Sequence, residues 1–110
     1  MAKQLLIDFY QCDDNSLNNL DLLKTITRKI VMILRAKIVS ECWHFFQPVG
    51  LTYIAIISKS HLSFHTWPEK KTIALDIFSC DDSLPQDFIS QISANLKAQS
   101  YNLQTITRTI

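Results

Sequence analysis

Residues 59–69 concentrate side chains that could take part in chemistry within an otherwise apolar-rich chain. Their sequence, KSHLSFHTWPE, places two histidines, two serines, a threonine and a glutamate in eleven residues. An imidazole can act as a general base near neutral pH, and a neighbouring hydroxyl or thiol can then become a nucleophile. His65 and Cys80 could form such a pair, although a single cysteine at a strand end is more often an inert buried thiol.

The composition argues against several classes of site and partner. With 110 residues, 47% of them apolar and 19% charged, the chain is typical of one globular domain. A net charge of +1 without a basic block argues against nucleic-acid binding. The single glycine, Gly50, excludes glycine-rich phosphate loops, and three cysteines without metal-binding spacing argue against disulfides and a metal site. The N-terminal apolar run is too short for a signal peptide or a membrane span, so we expect a cytoplasmic protein.

The periodicity of apolar residues predicts the elements that must position these side chains. Continuous or alternating apolar runs predict strands at residues 3–10, 51–57, 61–67, 72–80 and 103–110. A further strand before residue 47 carries Cys42, His44 and Phe46 on one face.

Two amphipathic helices are predicted between these strands. The first begins at Leu17, with Asn15 or Ser16 as its cap. The second follows a capping box that starts at Ser83 and ends at Gln86. The order of elements indicates an α+β fold, a two-layer α/β sandwich with a mainly antiparallel sheet, as a single domain over residues 1–110.

The segment SHLSFHTWPE followed by DIFSC resembles the short bacterial and archaeal S-adenosylmethionine decarboxylase proenzymes, which are pyruvoyl-dependent. The resemblance covers nearly the whole chain, since LLIDFYQCD is similar to the family's opening strand and WHFFQPVGLT to its aromatic-His-x-Phe-x-Pro-x-Gly-x-Ser segment. It implies decarboxylation of S-adenosylmethionine for polyamine, and specifically spermidine, biosynthesis. It also implies a homodimer in which two sheets pack face to face into four layers, with the active sites at the interface.

The resemblance further implies that the chain cuts itself between residues 59 and 60. The Ser60 hydroxyl would attack the carbonyl carbon of Lys59, and elimination and hydrolysis would leave a pyruvoyl group at the start of the new chain. That group forms a Schiff base with the substrate amine and is the electron sink that ordinary side chains lack. His65 would take the α-proton of the serine, Thr52 would hydrogen-bond the processing intermediate, and Cys80 would protonate the substrate carbon after decarboxylation.

Two further residues match the substrate-binding positions of the family. Phe46 would stack on adenine and attract the sulfonium through a cation–π contact, and Glu69 would accept the ribose hydroxyls. Without the resemblance, Phe46 would be expected in the core and Glu69 in a solvated loop.

Some positions depart from the family pattern and keep other functions open. Lys59 stands where a glutamate is usual, and Tyr53, Lys71 and Asp81 each stand in place of a glycine. Such changes could narrow or reshape the pocket. One alternative is a pyruvoyl-dependent decarboxylase of another amino acid, arginine or ornithine. Another is an unprocessed, inactive homologue that regulates an active relative in a mixed dimer.

Overall fold

The computed structural model describes residues 2–80 and 84–110. In this part of the chain the strands are β1 (Ala2–Tyr10), β2 (Ile38–Phe45), β3 (Leu51–Ile57), β4 (Ser60–Trp67), β5 (Thr72–Ser79) and β6 (Ser100–Arg108). The helices are α1 (Leu20–Ile33) and α2 (Gln86–Asn95), and short 3-10 turns span Asp14–Ser16 and Pro68–Lys70.

The strands form one antiparallel sheet in the order β2-β3-β4-β5-β1-β6. Because side chains alternate along a strand, each strand presents one row of residues to the helices and another to the opposite face. In β4 the residues Leu62, Phe64 and Thr66 are buried. Both helices add apolar side chains such as Ile30 and Ile92 to the same core. The predicted two-layer α+β sandwich with an antiparallel sheet is therefore confirmed.

The sheet face that the helices leave uncovered, called the open face here, carries the other row of each strand. On β3 it includes Ile54 and Ile56, which are 36% and 52% exposed. On β4 it includes His61, Ser63 and His65. The sequence pattern correctly indicated that β3 is apolar on both sides and that one helical layer cannot cover it.

The start of α1 differs from the prediction. The helix begins at Leu20, and its cap is Asn19, whose side-chain oxygen accepts a hydrogen bond from the Leu22 amide at 3.1 Å. The choice of Asn15 or Ser16 was wrong, because both residues lie in the preceding 3-10 turn. A run of capping residues offers several competing starts, and the one that aligns the apolar stripe with the sheet is used.

The second helix begins at Gln86, and Pro85 at its cap position makes no side-chain capping bond. The predicted capping box starts at Ser83, which lies outside the described residues. The last strand begins at Ser100 and ends at Arg108, earlier at both ends than the sequence pattern indicated. No helix in the described ranges is long and apolar enough to cross a membrane.

Both helices end in the left-handed backbone conformation, although the end residues are not glycines. Arg35 after α1 has φ 55° and Lys97 after α2 has φ 53°. At each end the amide of the next residue donates a hydrogen bond to a carbonyl in the last turn of the helix. Ala36 donates to Val31 and Ala98 donates to Ser93, both at 2.9 Å. These are Schellman-type helix ends, in which glycine is the preferred residue.

Candidate active site

Four of the predicted site residues line one pocket at the end of β3 and β4. The pocket has a volume of about 250 Å³ and is lined by Phe46, Thr52, His65 and Glu69. Trp67 also contributes to its wall. The structure therefore brings together the residues assigned to substrate binding and two of those assigned to self-cleavage.

Strand register places Thr52 and His65 directly opposite each other on β3 and β4. Thr52 Oγ1 lies 3.0 Å from His65 Nδ1, within hydrogen-bonding distance. The direction of this bond follows the tautomer of the imidazole. In either direction the contact fixes the ring plane and leaves Nε2 as the nitrogen available for proton transfer.

The loop after β2 holds Phe46 over the pocket. The Phe46 amide donates to the Gly50 carbonyl at 2.8 Å, which closes the loop, and the peptide bond between Gln47 and Pro48 is cis. Gly50 has φ 118°, a conformation that side chains rarely adopt. A Cβ at Gly50 would lie 3.6 Å from the Phe46 Cβ, an ordinary contact distance, so the backbone conformation and not a lack of space calls for glycine. The only glycine of the chain therefore stands where the backbone needs one beside the pocket.

Glu69 lies in the 3-10 turn Pro68–Lys70 that follows β4, where its side chain is exposed. Lys71, one of the departures from the family pattern, ends this turn in the left-handed conformation with φ 51°. A glycine, which the resemblance to the family led us to expect here, would adopt this conformation without strain. The Lys71 ammonium lies 3.8 Å from an Asp14 carboxylate oxygen, and Lys71 does not line the pocket.

The remaining predicted residues form a second group at the hairpin between β3 and β4. The Cys80 thiol donates a hydrogen bond to the Lys59 carbonyl oxygen at 2.9 Å. Ser60 Oγ is buried and has no hydrogen-bond partner among residues 2–80 and 84–110. The turn itself is anchored by Ser58, whose amide donates to the Lys37 carbonyl at 2.8 Å. The hydroxyl, the carbonyl it would attack and a hydrogen-bond donor to that carbonyl thus lie together.

Within one chain the two groups do not meet. Ser60 and His65 lie on the same strand, and five residues at about 3.3 Å each separate them by about 16 Å. His65 therefore cannot reach Ser60 of its own chain while β4 is intact. Cys80 is likewise absent from the lining of the pocket.

Tyr53 does not affect the pocket, in contrast to the expectation that it could narrow it. Its side chain is fully buried on the helix side of β3, and its hydroxyl donates to Glu41 Oε2 at 2.7 Å. Burial, and then the neighbouring Glu41 carboxylate, raise the Tyr53 pKa well above its ordinary value. The Tyr53 hydrogen bond, together with Lys24 at 3.3 Å, lowers the Glu41 pKa. Asp81, another departure from the family, lies outside the described residues.

No role was predicted from the sequence for His44 or Trp67, two aromatic residues at the site. The His44 and Phe46 rings form a T-shaped pair with centroids 4.7 Å apart, and Trp67 stands 6.0 Å from the His65 ring. Alternation along β2 and β4 already placed each histidine on one face with its aromatic neighbour. Their side-by-side arrangement depends on the pairing of three strands, which the sequence does not state.

Asp76 is a partly buried carboxylate on the open face. It lies on β5 directly opposite Ser63, and burial raises its pKa. The charge of Asp8 acts in the same direction, and His65 and His61 act against it.

Across the described part of the chain, no cluster of three or more His, Cys, Asp or Glu side chains is arranged to hold a metal ion.

Comparison with known proteins gives consistent matches over nearly the full chain. The family model for S-adenosylmethionine decarboxylase matches residues 3–109. The S-adenosylmethionine decarboxylase proenzyme of Thermoanaerobacter sp. (strain X514) is 35% identical over 109 residues, which cover 98% of this chain and 88% of the relative. The proenzyme of the same name from Clostridium botulinum (strain Hall) is 33% identical over 105 residues, which cover 94% and 90%.

A solved structure shows the same arrangement of the chain. The crystal structure of the adenosylmethionine decarboxylase from Aquifex aeolicus matches with a TM-score of 0.83 at 25% identity, over 100% of this chain and 92% of the other. Together with the match of the family model over residues 3–109, these likenesses show that the chain belongs to the S-adenosylmethionine decarboxylase family.

Proposed function

We propose that this protein is a self-processing, pyruvoyl-dependent decarboxylase of S-adenosylmethionine that supplies decarboxylated S-adenosylmethionine for spermidine biosynthesis. The observation that carries the proposal is the group at the β3–β4 hairpin. There a buried Ser60 hydroxyl, which has no hydrogen-bond partner in the described part of the chain, adjoins the Lys59 carbonyl, which accepts a hydrogen bond from Cys80 at 2.9 Å.

The first step is an acyl shift. Ser60 Oγ attacks the carbonyl carbon of Lys59, the bond from that carbon to the Ser60 nitrogen breaks, and an ester and a free amine result. Negative charge develops on the carbonyl oxygen in the transition state. The Cys80 thiol already donates a hydrogen bond to this oxygen and can stabilise that charge. A thiol is a weak hydrogen-bond donor, so its contribution is smaller than that of an amide.

The second step is an elimination that requires a base. His65 takes the α-proton of residue 60, the Lys59 carboxylate leaves, and the resulting dehydroalanine takes up water and loses ammonia. The pyruvoyl group so formed supplies an electrophilic carbonyl as electron sink for decarboxylation. Cys80 then returns a proton to the substrate carbon. Because Cys80 must be a thiol in this scheme, we place the protein in the cytoplasm, where cysteines stay reduced.

A second copy of the chain completes the site in this proposal. If two open faces pack together about an axis that crosses the middle of β4, His65 of one protomer can lie opposite the backbone of residue 60 of the other, whose α-proton it takes. The Ser60 side chain itself is in the helix-side row of β4. The exposed Ile54 and Ile56 supply apolar surface for this contact. A pocket of about 250 Å³ is also small for a drug-sized ligand, so a partner sheet would add the missing wall. We therefore propose a homodimer.

The pocket suits an adenosyl cation. Phe46 is half exposed and offers a ring face to adenine or to the sulfonium, and Glu69 offers carboxylate oxygens to vicinal hydroxyls. Free arginine and ornithine carry neither a purine ring nor the vicinal hydroxyls of a ribose to occupy the positions beside Phe46 and Glu69. The geometry favours S-adenosylmethionine over those amino acids for this reason.

Intact mass spectrometry under denaturing conditions tests the processing. We expect one chain that ends at Lys59 and another that begins with a pyruvoyl group in place of Ser60, whereas Ser60→Ala stays uncut. Release of labelled carbon dioxide from S-adenosylmethionine, arginine or ornithine then identifies the substrate. An uncut wild-type chain that persists on incubation would contradict the proposal and favour an inactive homologue. Release from arginine or ornithine alone would contradict the assigned substrate.

A further inference from the structure

We propose that His44 is a positioning residue that holds the Phe46 ring in the orientation that accepts the adenosyl group. This inference rests on the proposed function, because it takes the Phe46 pocket as the adenosyl site. His44 does not line the pocket itself and would act through Phe46.

Phe46 occupies a position that leaves its ring half exposed. It follows the last residue of β2 and is 50% exposed. Its backbone is fixed by the bond to Gly50, but Gly50 has no side chain to pack against the ring. The His44 ring meets it at 4.7 Å with an interplanar angle of 73°. T-shaped pairs at this spacing are favourable because the positive edge of one ring meets the negative face of the other.

Strand pairing couples this contact to the rest of the site. His44 is directly opposite Thr52 on β3, and Thr52 is directly opposite His65 on β4. The three residues therefore form one row across the open face, of which Thr52 and His65 line the pocket. A ring anchored in this row keeps Phe46 at a constant distance from the proton-transferring group.

Loss of this contact should weaken substrate binding rather than the chemical step. A Phe46 ring held before the substrate arrives loses less rotational freedom on binding. We expect His44→Ala to raise KM roughly three- to tenfold, the range for one aromatic pair, with kcat nearly unchanged. His44→Phe keeps an aromatic edge beside Phe46 and should restore KM to within about twofold of the wild type.

Steady-state kinetics of three variants test the assignment. Cys42→Ala is the matched control, because Cys42 is exposed on the same face of the same strand and does not line the pocket. We expect its KM to equal that of the wild type. An unchanged KM in His44→Ala, a loss confined to kcat, or a failure of His44→Phe to restore KM would each overturn the proposal.

A binding measurement separates this inference from the proposed function. Titration with 5′-methylthioadenosine, followed by tryptophan fluorescence, reports adenosyl binding without any reaction. If the wild type neither cuts itself nor releases carbon dioxide but binds this nucleoside with an affinity that His44→Ala weakens and His44→Phe restores, the function fails and the role of His44 stands. If decarboxylation is intact and neither KM nor Kd responds to His44→Ala, the role of His44 fails and the function stands.

Discussion

Thr52 Oγ1 and His65 Nδ1 lie 3.0 Å apart on directly opposed positions of β3 and β4. For His65 to accept a proton on Nε2, its own hydrogen must be on Nδ1, and that nitrogen must then donate to the Thr52 hydroxyl. By accepting this hydrogen bond, the hydroxyl can hold His65 in the tautomer that acts as a base, although it can equally donate to the other tautomer. A serine hydroxyl at this position could serve the same purpose.

Removal of the Thr52 hydroxyl should slow self-cleavage. Thr52→Val keeps the shape of the side chain but leaves the imidazole free to turn, and a misplaced base loses part of the 10²- to 10⁴-fold that a positioned base contributes. We expect cleavage about tenfold slower or more, followed as the fraction of cut chain against time by mass spectrometry. Thr52→Ser retains the hydroxyl and should cut at nearly the wild-type rate. Equal rates for the valine and serine variants would contradict this role.

The separation of about 16 Å between Ser60 and His65 predicts complementation between two inactive chains. Ser60→Ala has no hydroxyl to attack, and His65→Ala has no base. In a mixed dimer, one site combines Ser60 of the His65→Ala chain with His65 of the Ser60→Ala chain. After co-expression we expect cleavage of about half of the His65→Ala chains, as random pairing would give.

Each variant expressed alone is the control for this experiment and should stay uncut. Mass spectrometry distinguishes the two chains, so the identity of the cut species can be read directly. Cleavage in the mixture should be confined to chains that carry the His65→Ala change. If His65→Ala cuts itself alone, or if the mixture stays uncut, the shared site is wrong.

Some of this site could be predicted from the sequence and some could not. The two faces of β4 follow from alternation between Ser60 and Trp67, and the distance between Ser60 and His65 follows from the rise of a strand. The contact between the Cys80 thiol and the Lys59 carbonyl depends on the register of β4 with β5, in which His61 faces Phe78. Local sequence does not determine a pairing between residues so far apart in the chain.

The left-handed residues at the two helix ends predict that replacing either of them with glycine raises the free energy of unfolding. Arg35 and Lys97 hold the left-handed conformation, with φ 55° and 53°, where a Cβ is unfavourable. We expect Arg35→Gly and Lys97→Gly each to raise the free energy of unfolding by about 1 kcal/mol, offset in part by the greater freedom of glycine in the unfolded chain. Urea denaturation of each variant measures this change.

Alanine at the same two positions is the matched control. It removes the long cationic side chain but keeps the Cβ that causes the strain, so we expect no comparable gain. If alanine stabilises the protein as much as glycine does, the effect comes from the removed charge and not from the backbone.

Asp76 predicts a dependence of stability on pH. Its pKa is raised from 3.8 in the folded chain, first by burial and then by Asp8, so the folded state binds the proton more tightly than the unfolded state does. The free energy of unfolding should therefore fall as the pH rises through the folded pKa and remain lower above it. Asp76→Asn removes this loss, and its advantage over the wild type in urea denaturation should grow as the pH rises from below the ordinary pKa of 3.8 through the higher folded pKa.

The charges around Asp76 determine how large this pH effect is, and one of them provides a control variant. His61 and His65 lower its pKa and thus limit the effect, while Asp8→Asn should reproduce part of the gain with the same sign. Pairing of two open faces would remove further water from Asp76 and raise its pKa more. The advantage of Asp76→Asn should then increase with protein concentration as dimers form. An advantage that is constant across this pH range would show that the ionised carboxylate carries no cost in the folded protein.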